Sequence, residues 1–384
     1  MRWPSASYRA ALRAVLGVAT DAELGFRPAV RKAGDPVRAE HVGLAAGDAV
    51  EEVVMSAAEE SAQFLAWAET TNVGELTVEQ MHSEVRRIAH GYLKTPTLPL
   101  FARTKALRDR AFTLLSGHQA PSQSRELYAA AGWSLTVLAW MSVDLGRADA
   151  AEDHARAAWL CAERADYAAL RAWVRATQHT AAFWQDDFAT AANYAADGLT
   201  YTGTGTAQLY LASALALDLA RAGDATRATA ALREAQRVAE SAQLAEDELS
   251  GPFTCSTDRA GSLWSDTHLA LGNANEALAF ADRAVATFEA TPADRRNLGS
   301  ERMTRMIQVN AHLVLGELDG AVEALTPVLE TPSEHRVRPL LQRRTAEAAS
   351  FAVDGRDASD PVVRRIQGSL VDFHRETVIK ELTA

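Results

Sequence analysis

The chain has 384 residues, of which 48% are hydrophobic and 23% charged, so it can bury a large core. Alanine supplies 78 residues and aromatic residues only 7%, a mix that favours helix and argues against a β-sandwich, a β-barrel or a disordered chain. The formal net charge of −11 excludes a body that as a whole attracts DNA or an anionic membrane.

Two cysteines, Cys161 and Cys255, are too few for a disulfide framework and fit a reducing compartment. No apolar run approaches the roughly 18 residues of a membrane span, and the first residues lack the apolar stretch of a signal peptide. We therefore expect a soluble, cytoplasmic, mostly helical protein that does not contact membranes.

The first predicted element is an amphipathic helix over residues 3–16, with Tyr8, Leu12, Val15 and Leu16 on one face. One such helix cannot bury its own apolar face. Glycine-bounded residues 43–47 predict a linker, and a further helix is expected over residues 51–69.

Three more helices precede the regular part of the chain. A capping-box pattern at Thr77 opens a helix that runs to about Tyr92. Pro99 starts another, which ends near Gly117. Ser122 or Ser124 is expected to cap a long helix that runs to Gly146.

In the regular part of the chain a unit recurs that consists of two helices joined by a short turn. Each unit has a small or polar turn residue followed by small residues at helical spacing, such as Ala151, Ala155 and Ala158. The turn residues are Gly146, Asp186, Gly223, Gly272, Gly316 and, in degenerate form, Gly355 before a helix that Pro361 opens. Their spacings are 40, 37, 49, 44 and 39 residues, and the longest contains an insertion around 249–252 that predicts a loop on one face.

These units resemble tetratricopeptide repeats, although each is slightly longer. Small side chains let stacked hairpins approach closely. The predicted fold is therefore all-α: a tetratricopeptide-like α-solenoid of stacked helical hairpins with a short N-terminal helical fragment. An ordinary alanine-rich helical bundle is the alternative.

The N-terminal helix closely resembles the last helix of a lambda-repressor-like helix-turn-helix domain. The resemblance is to actinobacterial-type regulators that fuse this domain to tetratricopeptide repeats, and it extends over essentially the whole chain. Its further segments are 98–103, 159–163, 171–175 and 297–302. The resemblance implies a remnant of the DNA-binding domain at 1–35, a linker and connecting helix at 36–75, and a sensor or interaction domain at 76–384.

The chain departs from this family at the DNA-reading end. A helix-turn-helix module needs a recognition helix and its supporting helix, and only the last helix precedes the linker. Residues 1–40 carry a net charge of +3, which is small for groove binding. Either the gene start lies further upstream or the protein lacks this half, so we assign no DNA-contact residue and expect DNA binding only through a head mostly absent here.

Catalytic motifs are missing from the sequence. The ten histidines form no metal-spaced cluster with cysteine, and the glycines at 203 and 205 are not followed by a P-loop lysine. His179 is interpreted as a packed or hydrogen-bonded core histidine. We expect no enzymatic activity, no metal and no cofactor.

The first helix of each hairpin should face the concave side of the solenoid, so equivalent positions align in columns. The candidate ligand-binding residues are Trp133, Trp140, Trp173, Tyr210, Arg259, Asp266, Met303, Met306 and Asn310. Such a wall can stack a flat ligand or grip a peptide, and Trp173, Tyr210 and Arg259 are expected to line one pocket. Arg259 and Asp266 either bracket a ligand or neutralise each other, and each tryptophan has core packing as its alternative.

The function these observations predict is that of a transcriptional regulator whose repeat body binds a small signal molecule or a peptide in its concave groove. The alternative is a tetratricopeptide scaffold that mediates protein–protein interaction and does not bind DNA. A homodimer is expected, because helix-turn-helix regulators commonly pair on palindromic sites and the helix at 8–16 needs an apolar cover.

Overall fold

A computed structural model of the chain describes residues 13–14, 18–21, 45–203, 205–241, 247–292, 296–332, 339–353 and 359–383. Across these ranges it contains fifteen α-helices and no β-strand, which confirms the all-α prediction. Contacts divide the chain into two units, residues 1–67 and 68–384. Within the described ranges, no helix combines the length and apolar character that crossing a bilayer would require.

The helices are numbered here in chain order. They are α1 Ala45–Glu69, α2 Glu75–Gly91, α3 Thr97–Leu115, α4 Pro121–Asp144, α5 Ala148–Ala165, α6 Ala168–Phe183, α7 Phe188–Leu199, α8 Ala207–Arg221, α9 Ala225–Ser241, α10 Thr257–Ala270, α11 Ala274–Ala290, α12 Leu298–Leu315, α13 Leu318–Leu329, α14 Pro339–Val353 and α15 Pro361–Thr383. A single 3-10 turn, Gly251–Phe253, lies between α9 and α10.

The predicted turn residues mark the hairpins. Gly146, Asp186, Gly223, Gly272 and Gly316 have φ between +62° and +84°, the left-handed conformation that ends a helix. In every case the next helix begins two residues later. The pairs α4–α5, α6–α7, α8–α9, α10–α11 and α12–α13 are therefore the predicted repeats, while Gly355 lies outside the described residues.

The two helices of a hairpin are buried to different extents. In α4 every residue from 129 to 144 is buried, whereas α5 buries only one stripe that includes Ala151, Ala155 and Ala158. The same small-residue stripe recurs in α11. The inner helices thus form the middle of a stacked-hairpin solenoid, and the alanine stripes let the outer helices pack closely on them.

Several predicted helix starts are wrong by a few residues. Helix α2 begins at Glu75, because the extended Gly74 supplies a carbonyl that accepts from the Thr77 amide at 3.0 Å. Helix α4 begins at Pro121, which needs no partner for a missing N–H, and neither serine caps it. The amide of Ala120 instead donates to Gln123 at 3.2 Å.

The structure contradicts part of the linker prediction and describes only two residues of the predicted N-terminal helix. Residues 45–47 belong to α1, so they are not a linker, while residues 43 and 44 lie outside the described part of the chain. Of the helix predicted over 3–16, only Arg13 and Ala14 are described, and both are helical. At the other end Pro361 opens α15 as predicted, with the Asp360 carboxylate accepting from the Val362 amide at 2.7 Å.

The insertion between α9 and α10 packs inward. Leu249, Pro252 and Phe253 are buried, so this segment contributes to the interior of the repeat domain. Gly251 has φ of +69°, and a Cβ there would lie 2.5 Å from the Ala89 carbonyl oxygen of α2. Only glycine fits both restrictions, which explains why the chain can turn back so close to α2.

Candidate functional site

The insertion packs against the inner helices at the N-terminal end of the repeats. The Phe253 ring lies edge-on to three tryptophans, with ring centroids 5.8 Å from Trp133, 5.7 Å from Trp140 and 5.9 Å from Trp173. Phe253 is 0% exposed, and Trp133 and Trp173 are buried with it. Trp173 lies beside Tyr210, with ring centroids 5.6 Å apart, but it packs against Phe253 and is not among the residues that line the cavity described next, which agrees with the core-packing alternative.

Beyond this aromatic cluster lies a cavity of about 200 Å³. Its wall comes from the inner helices α4, α6, α8, α10 and α12 together with α14. Five candidates from the sequence line it: Trp140, Tyr210, Arg259, Asp266 and Met303.

Two other candidates lie away from the cavity. Met306 is fully buried in an apolar cluster formed by α12 to α15. Asn310 is also buried, and its Oδ1 atom has no hydrogen-bond partner among the described residues. Neither residue is part of the cavity wall.

Arg259 lies between the cavity and the insertion. Its Nη1 donates to the carbonyls of Pro252 at 2.8 Å and Thr254 at 2.5 Å. Its guanidinium carbon lies 4.6 Å from the Tyr210 ring centroid and 5.6 Å from that of Trp140, a cation–π arrangement. No carboxylate of the described residues forms an ion pair with it, so Arg259 brings an unneutralised charge to the cavity.

Asp266 has partners of its own. Its two carboxylate oxygens accept from Arg221 at 2.6 Å and Arg344 at 2.5 Å. Burial acts to raise the pKa of Asp266, but the charges of Arg344 and Arg221 outweigh burial and lower it. Asp266 therefore does not neutralise Arg259, and it joins α10 to α8 and α14.

Helix α14 closes one side of the cavity. Arg343 donates to the Trp184 carbonyl at 2.6 Å and forms an ion pair with Asp186 at the α6–α7 turn. The Arg344 guanidinium lies 5.3 Å from the Trp184 ring centroid. Sequence reasoning missed α14 as part of the site, because its 157- to 159-residue separation from that turn leaves no periodic signal.

A buried histidine–aspartate pair was also missed as part of the wall. Nδ1 of His179 lies 2.8 Å from Oδ2 of Asp218, so the prediction of a packed, hydrogen-bonded histidine is confirmed. His179 also lines the cavity. Burial raises the pKa of the Asp218 carboxyl, and the neighbouring His179 partly offsets that rise. Their positions on the inner helices, 39 residues apart, are a signal that could have found the pair.

The acidic groups of the wall already have hydrogen-bond donors. Asp144 accepts from the Tyr92 hydroxyl at 2.8 Å, and Asp266 accepts from two arginines. Among the described residues, no group of three or more histidine, cysteine, aspartate or glutamate side chains is placed to hold a metal ion. The cavity thus combines an aromatic wall with basic and hydrogen-bond-donating groups, an arrangement suited to binding.

Comparisons with known proteins do not assign the chain to a family. No protein-family model matches the chain. No curated protein matches it either. A solved structure described as a Rap protein complexed with Competence and Sporulation Factor is similar over 80% of this chain and 98% of that chain, with a TM-score of 0.46 and 13% identity. A likeness at this level carries no functional conclusion.

Proposed function

We propose that this protein is a non-enzymatic regulator whose repeat domain binds an effector, a small molecule or a short peptide, in the cavity of its concave face. The observation that carries the proposal is the cavity itself, whose wall contains Tyr210, Trp140 and the unneutralised Arg259. Cavities of this kind, mostly apolar with a few placed polar groups, are the usual form of ligand sites.

The construction of the wall supports a regulatory role. Helices from five successive hairpins and α14 meet at one cavity. A ligand that contacts all of them favours one relative arrangement of the hairpins over others, and its differential affinity shifts the population of conformations. Effector binding would therefore change the curvature of the solenoid.

The proposed output is transcription in the cytoplasm, through a helix-turn-helix domain of which residues 1–35 resemble the last helix. The support is the family resemblance of the sequence, while the net charge of +3 over residues 1–40 is small for groove binding. With −11 over the whole chain, the 384-residue protein should bind DNA weakly and lose that binding as salt rises. Sub-micromolar, sequence-specific binding at about 150 mM salt, measured by fluorescence anisotropy, would contradict this expectation.

A homodimer is part of the same proposal, because regulators of this type pair to match palindromic sites. Sedimentation of the full chain from micromolar to hundred-micromolar concentration tests it. A monomer throughout this range would reject the dimer and leave the effector site in place.

The effector site is tested with a blocking variant. Full chain is screened by thermal shift against a library of small metabolites and short peptides, and a hit is repeated on Leu263→Trp, which places a large ring in the cavity wall. Leu160→Trp, at an exposed position of α5, is the matched control. We expect the blocking variant to lose the ligand-induced rise in melting temperature and the control to keep it. Equal responses would show that the ligand binds elsewhere.

The scaffold alternative has one observation in its favour. The side chains of Phe64, Leu65 and Trp67 on α1 are exposed. If the screen finds no small ligand or peptide and the chain instead captures a folded partner protein, the scaffold becomes the better description.

A further inference from the structure

The polar groups of the cavity wall that still have hydrogen-bonding capacity are mainly donors. Both lining aspartates already accept strong hydrogen bonds, Asp144 from Tyr92 and Asp266 from Arg221 and Arg344. A ligand amine would therefore compete with existing partners, whereas a ligand acceptor would meet unused donors. The wall thus favours a ligand rich in acceptor oxygens.

Arg259 supplies the first of these donors. Its Nη1 is engaged by the carbonyls of Pro252 and Thr254, but Nη2 and Nε form no hydrogen bond to the residues that the structure describes. Since the guanidinium lies over the Tyr210 ring, an acid whose body packs on that ring brings its oxygens within reach of Arg259.

His179 supplies the second donor. Asp218 is 0% exposed, and its Oδ1 accepts no hydrogen bond within the described part of the chain, so a lone negative charge on this pair would be costly. Burial raises the pKa of the Asp218 carboxyl, which favours a carboxylic acid that donates to Nδ1 of His179. The imidazole hydrogen then lies on Nε2, so His179 is a donor at the cavity wall.

The two donors flank the same aromatic ring. The His179 ring centroid lies 6.0 Å from that of Tyr210, and the Arg259 guanidinium carbon lies 4.6 Å from it. The Tyr210 ring centroid lies 6.1 Å from that of Trp140, which also lines the cavity. One small molecule can thus contact the aromatic surface and both donors together.

The volume of the cavity and the charge of its lining further restrict the class of ligand that fits. An apolar cavity of about 150 Å³ holds a benzene molecule, so about 200 Å³ suits one ring system with a short polar group and not a peptide of several residues. Arg344 is paired with Asp266 and Glu347, whereas Arg259 forms no ion pair with a carboxylate of the described residues. The single charge of Arg259 matches a monoanion better than a phosphate dianion.

We propose that the effector is a small aromatic carboxylic acid, whose ring packs against Tyr210 and Trp140 and whose oxygens accept hydrogen bonds from Arg259 and Nε2 of His179. This inference rests on the proposed function and specifies the ligand class for the same cavity.

The test uses matched acid and amide probes on the full chain. Benzoate is compared with benzamide, and indole-3-carboxylate with indole-3-carboxamide, by isothermal titration and ligand-observed NMR at neutral pH. We expect each acid to bind at least ten times more tightly than its amide. Arg259→Gln and His179→Gln should each weaken the acid at least tenfold and change the amide little.

Controls separate recognition from folding. Arg171→Gln is the matched control, because Arg171 also lies over a tyrosine ring, 5.9 Å from the Tyr201 centroid, but is not part of the cavity. Its acid affinity should be unchanged. Arg259 also holds the insertion, so Arg259→Lys serves as a second variant that keeps the charge, and it should recover part of the lost acid affinity.

The outcomes distinguish the two proposals. Equal affinity for acid and amide, or binding of short peptides in place of acids, would overturn the acid inference and leave an effector-binding cavity. Acid binding unaffected by Arg259→Gln and His179→Gln would also overturn the inference. Absence of binding by both acids would overturn the acid inference alone if the metabolite and peptide screen finds another ligand of the cavity, and would overturn both proposals if that screen finds none.

Discussion

The two ends of the surface formed by the inner helices α4, α6, α8, α10 and α12 are built from equivalent positions of successive hairpins, yet one is solid and the other holds a cavity. At the N-terminal end, Trp133, Trp140 and Trp173 surround Phe253 of the insertion. Towards the C-terminal end, Arg259 faces a space that no described side chain fills. The difference is whether another segment of the chain packs against the inner helices. An inward position in a solenoid therefore identifies a ligand contact only where no such segment covers it.

The largest effect is expected from emptying the filled end. Phe253→Ala removes a fully buried ring from between three tryptophans and should lower the free energy of unfolding by about 3–5 kcal/mol. Phe112→Ala, at a side chain that is 43% exposed, is the control and should cost far less. Urea unfolding of both variants measures the difference. A loss for Phe253→Ala no larger than for the control would mean that the insertion does not stabilise this end.

A substitution of Trp173 tests whether this residue belongs to the packed aromatic cluster or to the binding site. Because the side chain is buried against Phe253 and Tyr210, Trp173→Ala should also cost about 3–5 kcal/mol, and a thermal melt measures the loss. If the variant instead kept its melting temperature and lost only the ligand-induced fluorescence change, Trp173 would belong to the binding site.

Gly251 tests how closely the insertion must approach α2. Gly251→Ala combines a left-handed φ with a Cβ 2.5 Å from the Ala89 carbonyl oxygen. Gly223→Ala has the same type of φ, +84°, but nothing within 4 Å of the added Cβ. We expect backbone strain of about 1–3 kcal/mol in both variants and a further loss in Gly251→Ala alone. Equal losses in chemical denaturation would show that the close approach is not required.

The smallest expected effect concerns the ion pairs beside the cavity. The pKa of Asp266 is lowered on folding, so its ion pairs stabilise the fold above the ordinary pKa of 3.8 and are lost as pH falls through the lower folded value. Asp266→Asn should thus be less stable than the unchanged protein at neutral pH, and the gap should narrow in acid. Asp149→Asn, which removes an exposed pair with Arg147, is the control and should change stability little at any pH. A gap for Asp266→Asn that does not depend on pH would contradict this assignment.

The parts of the fold that follow local rules were predictable. A left-handed residue is needed to end a helix in a tight turn, and this need is met at spacings of 37 to 49 residues by Gly146, Asp186, Gly223, Gly272 and Gly316. Close stacking needs small residues at helical spacing, so the alanine stripes were also visible in the sequence.

The cavity was only partly predictable, because long-range contacts decide it. The columns placed Tyr210, Arg259 and Asp266 on the inner face, where they line the cavity, but no local pattern indicates that Phe253 packs against the inner helices. The large apolar side chains of Leu249 and Phe253 within this loop were the available signal. For Arg344 there was none, since its partner Asp266 lies 78 residues away.

The hydrogen bond and ion pair between α14 and the α6–α7 turn have a consequence for unfolding. A repeat array with contacts only between neighbours can fray from its ends one unit at a time. Here Arg343 is tied to Trp184 and Asp186, more than 150 residues earlier, so loosening the last helices also releases the second hairpin. We expect residues 68–384 to melt in one cooperative transition, and a deletion that begins at α14 to weaken hydrogen-exchange protection in α6.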